Sequence, residues 1–208
     1  NIPKIVHGGW FPLLVGSLFF IVMTTWKIGR RAVRSFLEVG SLPIDPFLAR
    51  LESYNPHRVK GTAVFMTSAM GVTPPILLHH FKHNKVLHEK VILFTIVTEG
   101  IPEVPKRDRI EMRELDHGFA VVIAHYGFMQ TPNVPLALRR AAEQGLQFDP
   151  NSVSYFLGRE TILTTGTSGL AAWRKSLFVY LARNARPANA FFRIPPNRVI
   201  ELGAQVEL

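Results

Sequence analysis

Cysteine is absent from the 208 residues. That excludes disulfides and thiolate metal sites, and nothing argues for an oxidising compartment. Other absences narrow the chemistry. There is no GxxxxGK[ST] phosphate loop and no HExxH pair. No nucleophile elbow with Ser, His and Asp presents itself, and no paired carboxylates in a cleft-like context. An enzyme is therefore not expected, and neither is a cofactor. No internal repeat or low-complexity run is present. Acid is scarce near the start: residues 1–60 hold three Asp/Glu against eight Lys/Arg, while the remaining 148 hold twelve against sixteen. More than half of the net charge of +9 thus sits in the first 60 residues. No stripe mixing basic and aromatic residues accompanies it, so no nucleic-acid partner is expected.

What is present is a run from Ile5 to Trp26 without a formal charge, followed by Lys27, Arg30, Arg31 and Arg34. About 20 apolar residues match the ~30 Å hydrocarbon core of a bilayer. A buried core helix would be shorter. A signal peptide would carry its positive charge before the run and a small-residue cleavage site after it. Trp10 and Trp26 stand where aromatic rings prefer the headgroup level, and a cationic flank without acid marks the cytoplasmic side. The run predicts one membrane helix, N-terminus out. Lys27, Arg30, Arg31 and Arg34 are expected to attract anionic lipid. The only ionisable side chain in the run is His7, near its outer edge. A chain that starts on such a helix with no initiating Met reads as a piece of a longer protein.

Gly40-Ser41-Leu42-Pro43 ends this helix, which is expected to run past the lipid to about Val39. Residues 1–42 are thus a membrane helix with its basic extension, and residues 43–208 a separate domain large enough for a core of its own. In that domain a short helix spans about Pro43 to Ser53, started by Asp45-Pro46. Val59–Thr67 and Val91–Thr98 read as buried strands, with a helix over Pro74–Asn84 between them. That is a βαβ unit with a parallel pair. Gly61-Thr62, inside a strand, points to a bulge or a close backbone approach. Arg109–Leu115 and Phe119–Phe128 form a hairpin through Asp116-His117-Gly118. A helix over Val134–Gln144, a strand over Val153–Leu157, a helix over Ala171–Asn184 and a last strand over Arg198–Val206 complete the chain. The Ala171–Asn184 helix would place Trp173, Leu177, Phe178 and Leu181 on one face. The fold class is one transmembrane α-helix followed by an α/β domain with a mixed, largely parallel sheet.

Three polar groups merit weighing. His79, His80, His83 and His88 cluster, and His79 and His83 stand i, i+4, a spacing that suits two imidazoles on one metal. No acid or thiol completes the set, so no metal site is expected, and the group reads as a basic helix end or a pH-responsive surface. Leu157-Gly158-Arg159-Glu160 places an ion pair after a predicted strand, where open α/β sheets tend to bind ligands. Arg159 suits phosphate there but is more often a structural tie. Gly166-Thr167-Ser168-Gly169 lacks the spacing and Lys of a phosphate cradle and reads as a loop.

The phrases GGWFPLLVG with TTWKIGR, then RVKGTAVFMT, LLHHFKHNKVLHEKVILFTI, HYGFMQTPNVPLAL, SYFLGRE and NRVIELGAQVEL stand in order along nearly the whole chain. Together they resemble the C-terminal portion of bacterial KUP-type (KUP/HAK/KT) potassium uptake permeases. The resemblance implies a multi-pass, proton-coupled K+ symporter of the bacterial inner membrane. This chain would be its last transmembrane helix and cytosolic domain. It further implies that K+ and H+ pass through earlier membrane helices, partners of this one, so the ion-binding residues are not in this chain. The cytosolic domain would then regulate or assemble the transporter. One alternative is a sensing module for a cyclic dinucleotide, at strand ends near Thr67, Ser68, Thr98 and Arg159, where N–H groups and a guanidinium meet phosphate. The other is a structural domain that forms a homodimer.

Overall fold

The computed structural model describes residues 9–39, 42–68, 70–163, 165, 169–185 and 191–207. They fall into two compact units, one from residues 40–160 and 186–204, the other from residues 1–39, 161–185 and 205–208. His7, Gly40, Ser41 and Gly166-Thr167-Ser168 lie outside the described residues.

In chain order, helix α1 is Trp10–Val39, strand β1 Leu42–Pro43, helix α2 Ile44–Tyr54 and strand β2 His57–Thr67. Strand β3 is Val72–Thr73, helix α3 Pro75–Asn84 and strand β4 Val86–Glu99. Then come β5 (Ile110–Glu114), β6 (Phe119–Gly127), α4 (Val134–Glu143), β7 (Val153–Leu163), α5 (Ala172–Arg183) and β8 (Val199–Glu207). The six long strands form one sheet in the order β5-β6-β4-β2-β7-β8. β4 pairs parallel with β2 and β6, β2 parallel with β7, and the β5–β6 hairpin is antiparallel. The βαβ unit and the mixed, largely parallel sheet are as the sequence predicts.

Alternation along the central strands supplies two cores. Val64, Ile92, Phe94, Val122 and Ala124 meet Val134, Ala137, Leu138 and Ala141 of α4 on one face. Ala63, Phe65, Val91, Leu93 and Phe119 meet Ile44, Phe47, Leu48 and Leu51 of α2 and Ile76 and Leu77 of α3 on the other. Strands covered on both faces have no reason to alternate with polar residues, which is why Val91–Val97 is apolar but for Thr95. Arg58 anchors the amino end of this sheet. Its guanidinium donates to the carbonyls of His88 and His117, both at 2.9 Å, and lies 5.8 Å from the centre of the Phe119 ring. Burial lowers its pKa from the usual value.

Two glycines are required by geometry. At Gly61 the β2–β4 register shifts, φ is +102°, and a Cβ would stand 2.7 Å from Ser152 Oγ. The strand is bulged and approached closely, as its glycine suggests. In the hairpin, Gly118 has φ +77°, and a Cβ there would strike the Glu89 carbonyl oxygen. His117 beside it is also left-handed, at φ 57°.

Two expectations need correction. β7 does not end at Leu157 but continues to Leu163. Gly158 and the charges of Arg159-Glu160 look like a strand end in the sequence, but β8 hydrogen-bonds along the other side of β7 and extends it. The inward face of α5 is also different. Phe178 and Lys175 are buried, while Trp173 is 55% exposed. Trp173 precedes Phe178 by five residues, about 140° around a helix of 3.6 residues per turn, so one of them must face out.

The second unit shows why Phe178 faces in. Thr25, Gly29 and Val33 form a buried stripe at i, i+4, i+8 on α1. The Phe178 ring fills the place where a Gly29 side chain would be. It lies 5.7 Å from the Trp26 ring and packs with Val33 and Val206, flanked by Ala32 and Ile162.

Candidate functional site

α1 is the element with the clearest functional surface. From Trp10 to Phe36 it is long and apolar enough to cross a membrane, and only 6% of its most apolar window is buried. Phe11, Leu14, Leu18, Phe19, Phe20 and Met23 are all more than half exposed. A surface of this kind needs lipid or other apolar helices to cover it. Thr24 Oγ1 satisfies itself within the helix, as a bilayer favours, by donating to the Phe20 carbonyl at 2.7 Å, whereas the buried Thr25 Oγ1 has no hydrogen-bond partner among the described residues. One turn on, Lys27, Arg30, Arg31 and Arg34 recur at i, i+3, i+4, i+7 and are all exposed. That spacing makes one cationic stripe, on the side of α1 away from the Thr25–Gly29–Val33 stripe.

The four histidines divide into two pairs. His79 and His83 are exposed on α3 with ring centroids 4.5 Å apart. Among the described residues no group of three or more His, Asp or Glu is placed to hold a metal ion. His80 and His88 turn inward instead. The His80 ring lies 4.9 Å from Phe156 and 5.8 Å from Phe65, and the His88 ring 5.8 Å from Phe156 and 6.2 Å from His80. His80 Nδ1 is 2.9 Å from Asn84 Nδ2. Burial, then the neighbouring His88, lowers the His80 pKa below 6.5, and burial lowers that of His88.

These shifts set a pH dependence. The unfolded chain takes up protons at these two positions near pH 6.5, whereas the folded chain resists them until lower pH. Stability is therefore full above that value and falls as pH drops through 6.5 toward the folded pKa values. Each histidine adds a slope of at most about 1.4 kcal/mol per pH unit. Urea midpoints measured from neutral to mildly acid pH should fall, and His80→Leu should flatten the decline. An unchanged slope in that variant would contradict the assignment.

The residues singled out for phosphate are spread along three strands. Thr67 closes β2 opposite Thr95, with Ser68 just beyond it, and exposed Thr98 lies three residues further along β4, opposite Tyr126. Arg159 lies inside β7 rather than after it. Its guanidinium pairs at 3.3 Å with Glu201 of β8. β2, with Thr67, thus lies between the strands that carry Thr98 and Arg159. A shallow cleft lies elsewhere, lined by Leu170, Ala172, Lys175 and Ser176 at the start of α5.

Two arrangements escape sequence reading. His125 is held between Glu99, 2.7 Å from its Nδ1, and Glu111, 3.6 Å from its Nε2. Only the register of β4, β5 and β6 brings these three together, and no spacing signals it. The seating of Phe178 on Gly29 is likewise invisible along the chain, since nearly 150 residues separate them. A small residue one turn after Trp26 was the available clue.

Comparison with known proteins adds a family. Residues 60–208 match the K+ potassium transporter C-terminal domain, and residues 1–31 the K+ potassium transporter integral membrane domain. A "Probable potassium transport system protein Kup" of Myxococcus xanthus is 52% identical over 208 residues, all of this chain and 32% of that protein. A protein of the same description from Anaeromyxobacter dehalogenans and a "Probable potassium transport system protein Kup 1" from Geobacter sulfurreducens are 53% and 47% identical, again over all of this chain and about a third of theirs. The chain therefore spans about a third of the length of the curated relatives it matches. No solved structure matches it.

Proposed function

We propose, since this chain belongs to the K+ potassium transporter C-terminal domain family, that it is the last membrane helix and the cytoplasmic domain of a potassium uptake protein. The observation that carries the reading is the order of parts on α1. An apolar span in the stretch that matches the integral membrane domain is followed by four cations, and then by the α/β domain. By the positive-inside rule the cationic end, and with it residues 43–208, lies in the cytoplasm. Transport is coupled to protons, and K+ and H+ pass through the membrane helices that α1 joins. Intramembrane ionisable groups mark ion paths, and the uncharged α1 span offers none between Trp10 and Trp26. The role of α1 is to anchor and complete the helix bundle, and that of the α/β domain to assemble and regulate it.

A reporter fused after Leu208 tests the topology. Green fluorescent protein, which folds in the cytoplasm, should fluoresce there, and alkaline phosphatase should stay inactive. The reverse pattern would overturn the orientation. Potassium uptake by cells carrying the parent protein should collapse on addition of a protonophore. Uptake that persists unchanged would remove the proton coupling.

A further inference from the structure

We infer that α5 is a second membrane-contacting element, an interfacial helix whose Trp173–Tyr180 face rests on anionic lipid headgroups. The inference rests on the reading that α1 crosses the bilayer.

Depth comes first. Trp26 closes the uncharged run and Lys27 follows it, so the turn from Trp26 to Gly29 stands at headgroup level. Phe178, in the middle of α5, is seated on that turn. α5 is thereby fixed at the height of the membrane surface.

Chemistry comes second. The side of α5 away from Phe178 carries Trp173, Ser176, Tyr180 and Arg183, at i, i+3, i+7 and i+10, and all four are exposed. Trp and Tyr with an apolar body and a polar tip are the side chains that settle at this level. The Arg174 guanidinium lies 5.3 Å over the Trp173 ring. No Asp or Glu occurs from Thr161 to Ala185, whereas Arg174 and Arg183 do, besides the buried Lys175. An acid-free helix with cations and exposed aromatics, held against a membrane span, is complementary to an anionic surface. It also continues the collar begun by Lys27, Arg30, Arg31 and Arg34 on α1.

Because the chain has no cysteine, Ser176→Cys takes a single nitroxide label in the middle of this face without removing an aromatic ring. The full 208-residue chain is placed in vesicles of phosphatidylcholine alone or of an equimolar mixture with phosphatidylglycerol. Collision with oxygen is compared with collision with a water-soluble nickel chelate. In the mixed vesicles the label should favour oxygen and be shielded from nickel. The shielding should be lost in phosphatidylcholine alone and in the R174Q/R183Q background. Free access of nickel in the mixed vesicles would overturn the proposal. So would equal shielding with and without phosphatidylglycerol, or shielding that survives loss of both arginines. Shielding from both reagents would show protein, such as a second copy, on this face instead. A label at Leu18→Cys separates the two readings: it should favour oxygen in every lipid, and its failure to do so would remove the membrane span itself rather than the role of α5.

Discussion

Gly29→Val is expected to release α5 from α1. At this position even a Cβ would overlap the Phe178 ring, so valine leaves the ring no seat. The small cluster of Val33, Phe178 and Val206 has few other apolar neighbours among the described residues to hold the helix if Phe178 leaves. Overpacking of this kind costs about 1–3 kcal/mol. Amide exchange of residues 172–183 should then quicken by roughly 5- to 30-fold for a loss of about 1–2 kcal/mol. Phe178→Ala should do the same by leaving the seat empty, at a cost of about 3–5 kcal/mol. Unchanged exchange in both variants would show that α5 is held by something else.

Phe65→Ala should be the most damaging single substitution in the α/β domain. Phe65 has no exposed surface, and its ring stacks on Phe156 with centroids 4.6 Å apart and planes 16° from parallel. The same ring borders His80, so the pocket that keeps that imidazole dry loses a wall. The position lies on β2, the strand between β4 and β7, where little can move to fill the space. A loss of about 3–5 kcal/mol is expected, a large part of the roughly 5–15 kcal/mol that holds an ordinary domain folded. The urea midpoint should drop with little change in slope. A shift below about 1 kcal/mol would mean that the two aromatic rings are not the centre of this core.

Much of this architecture is legible in the sequence because its signals are local. Val91–Thr98 is too β-branched to be a helix, Pro74-Pro75 starts α3 and Gly118 allows the tight hairpin. The paired Trp10 and Trp26 with Lys27 to Arg34 mark a membrane span. What fails to be legible depends on distant partners. Gly158-Arg159-Glu160 looks like a loop until β8 lies alongside β7 and Glu201 meets Arg159. Trp173 looks like the core residue of α5 until Gly29 gives its place to Phe178. His79, His80, His83 and His88 look like one cluster, and only the position of Phe156 divides them into an exposed pair and an inward-facing pair of buried His80 and half-buried His88. The candidate site follows the same rule: the cationic flank of α1 is evident in sequence, whereas the seating of α5 at its level is not.

The central claim is that this chain is the terminal portion of a potassium uptake protein. Its most direct test is growth at low potassium of cells stripped of their own uptake systems, carrying the full parent gene intact or cut after Leu42. The account predicts rescue by the intact gene, with the truncated form weaker at equal membrane abundance because α5 no longer supports α1. An intact protein that reaches the membrane and fails to restore growth would contradict it.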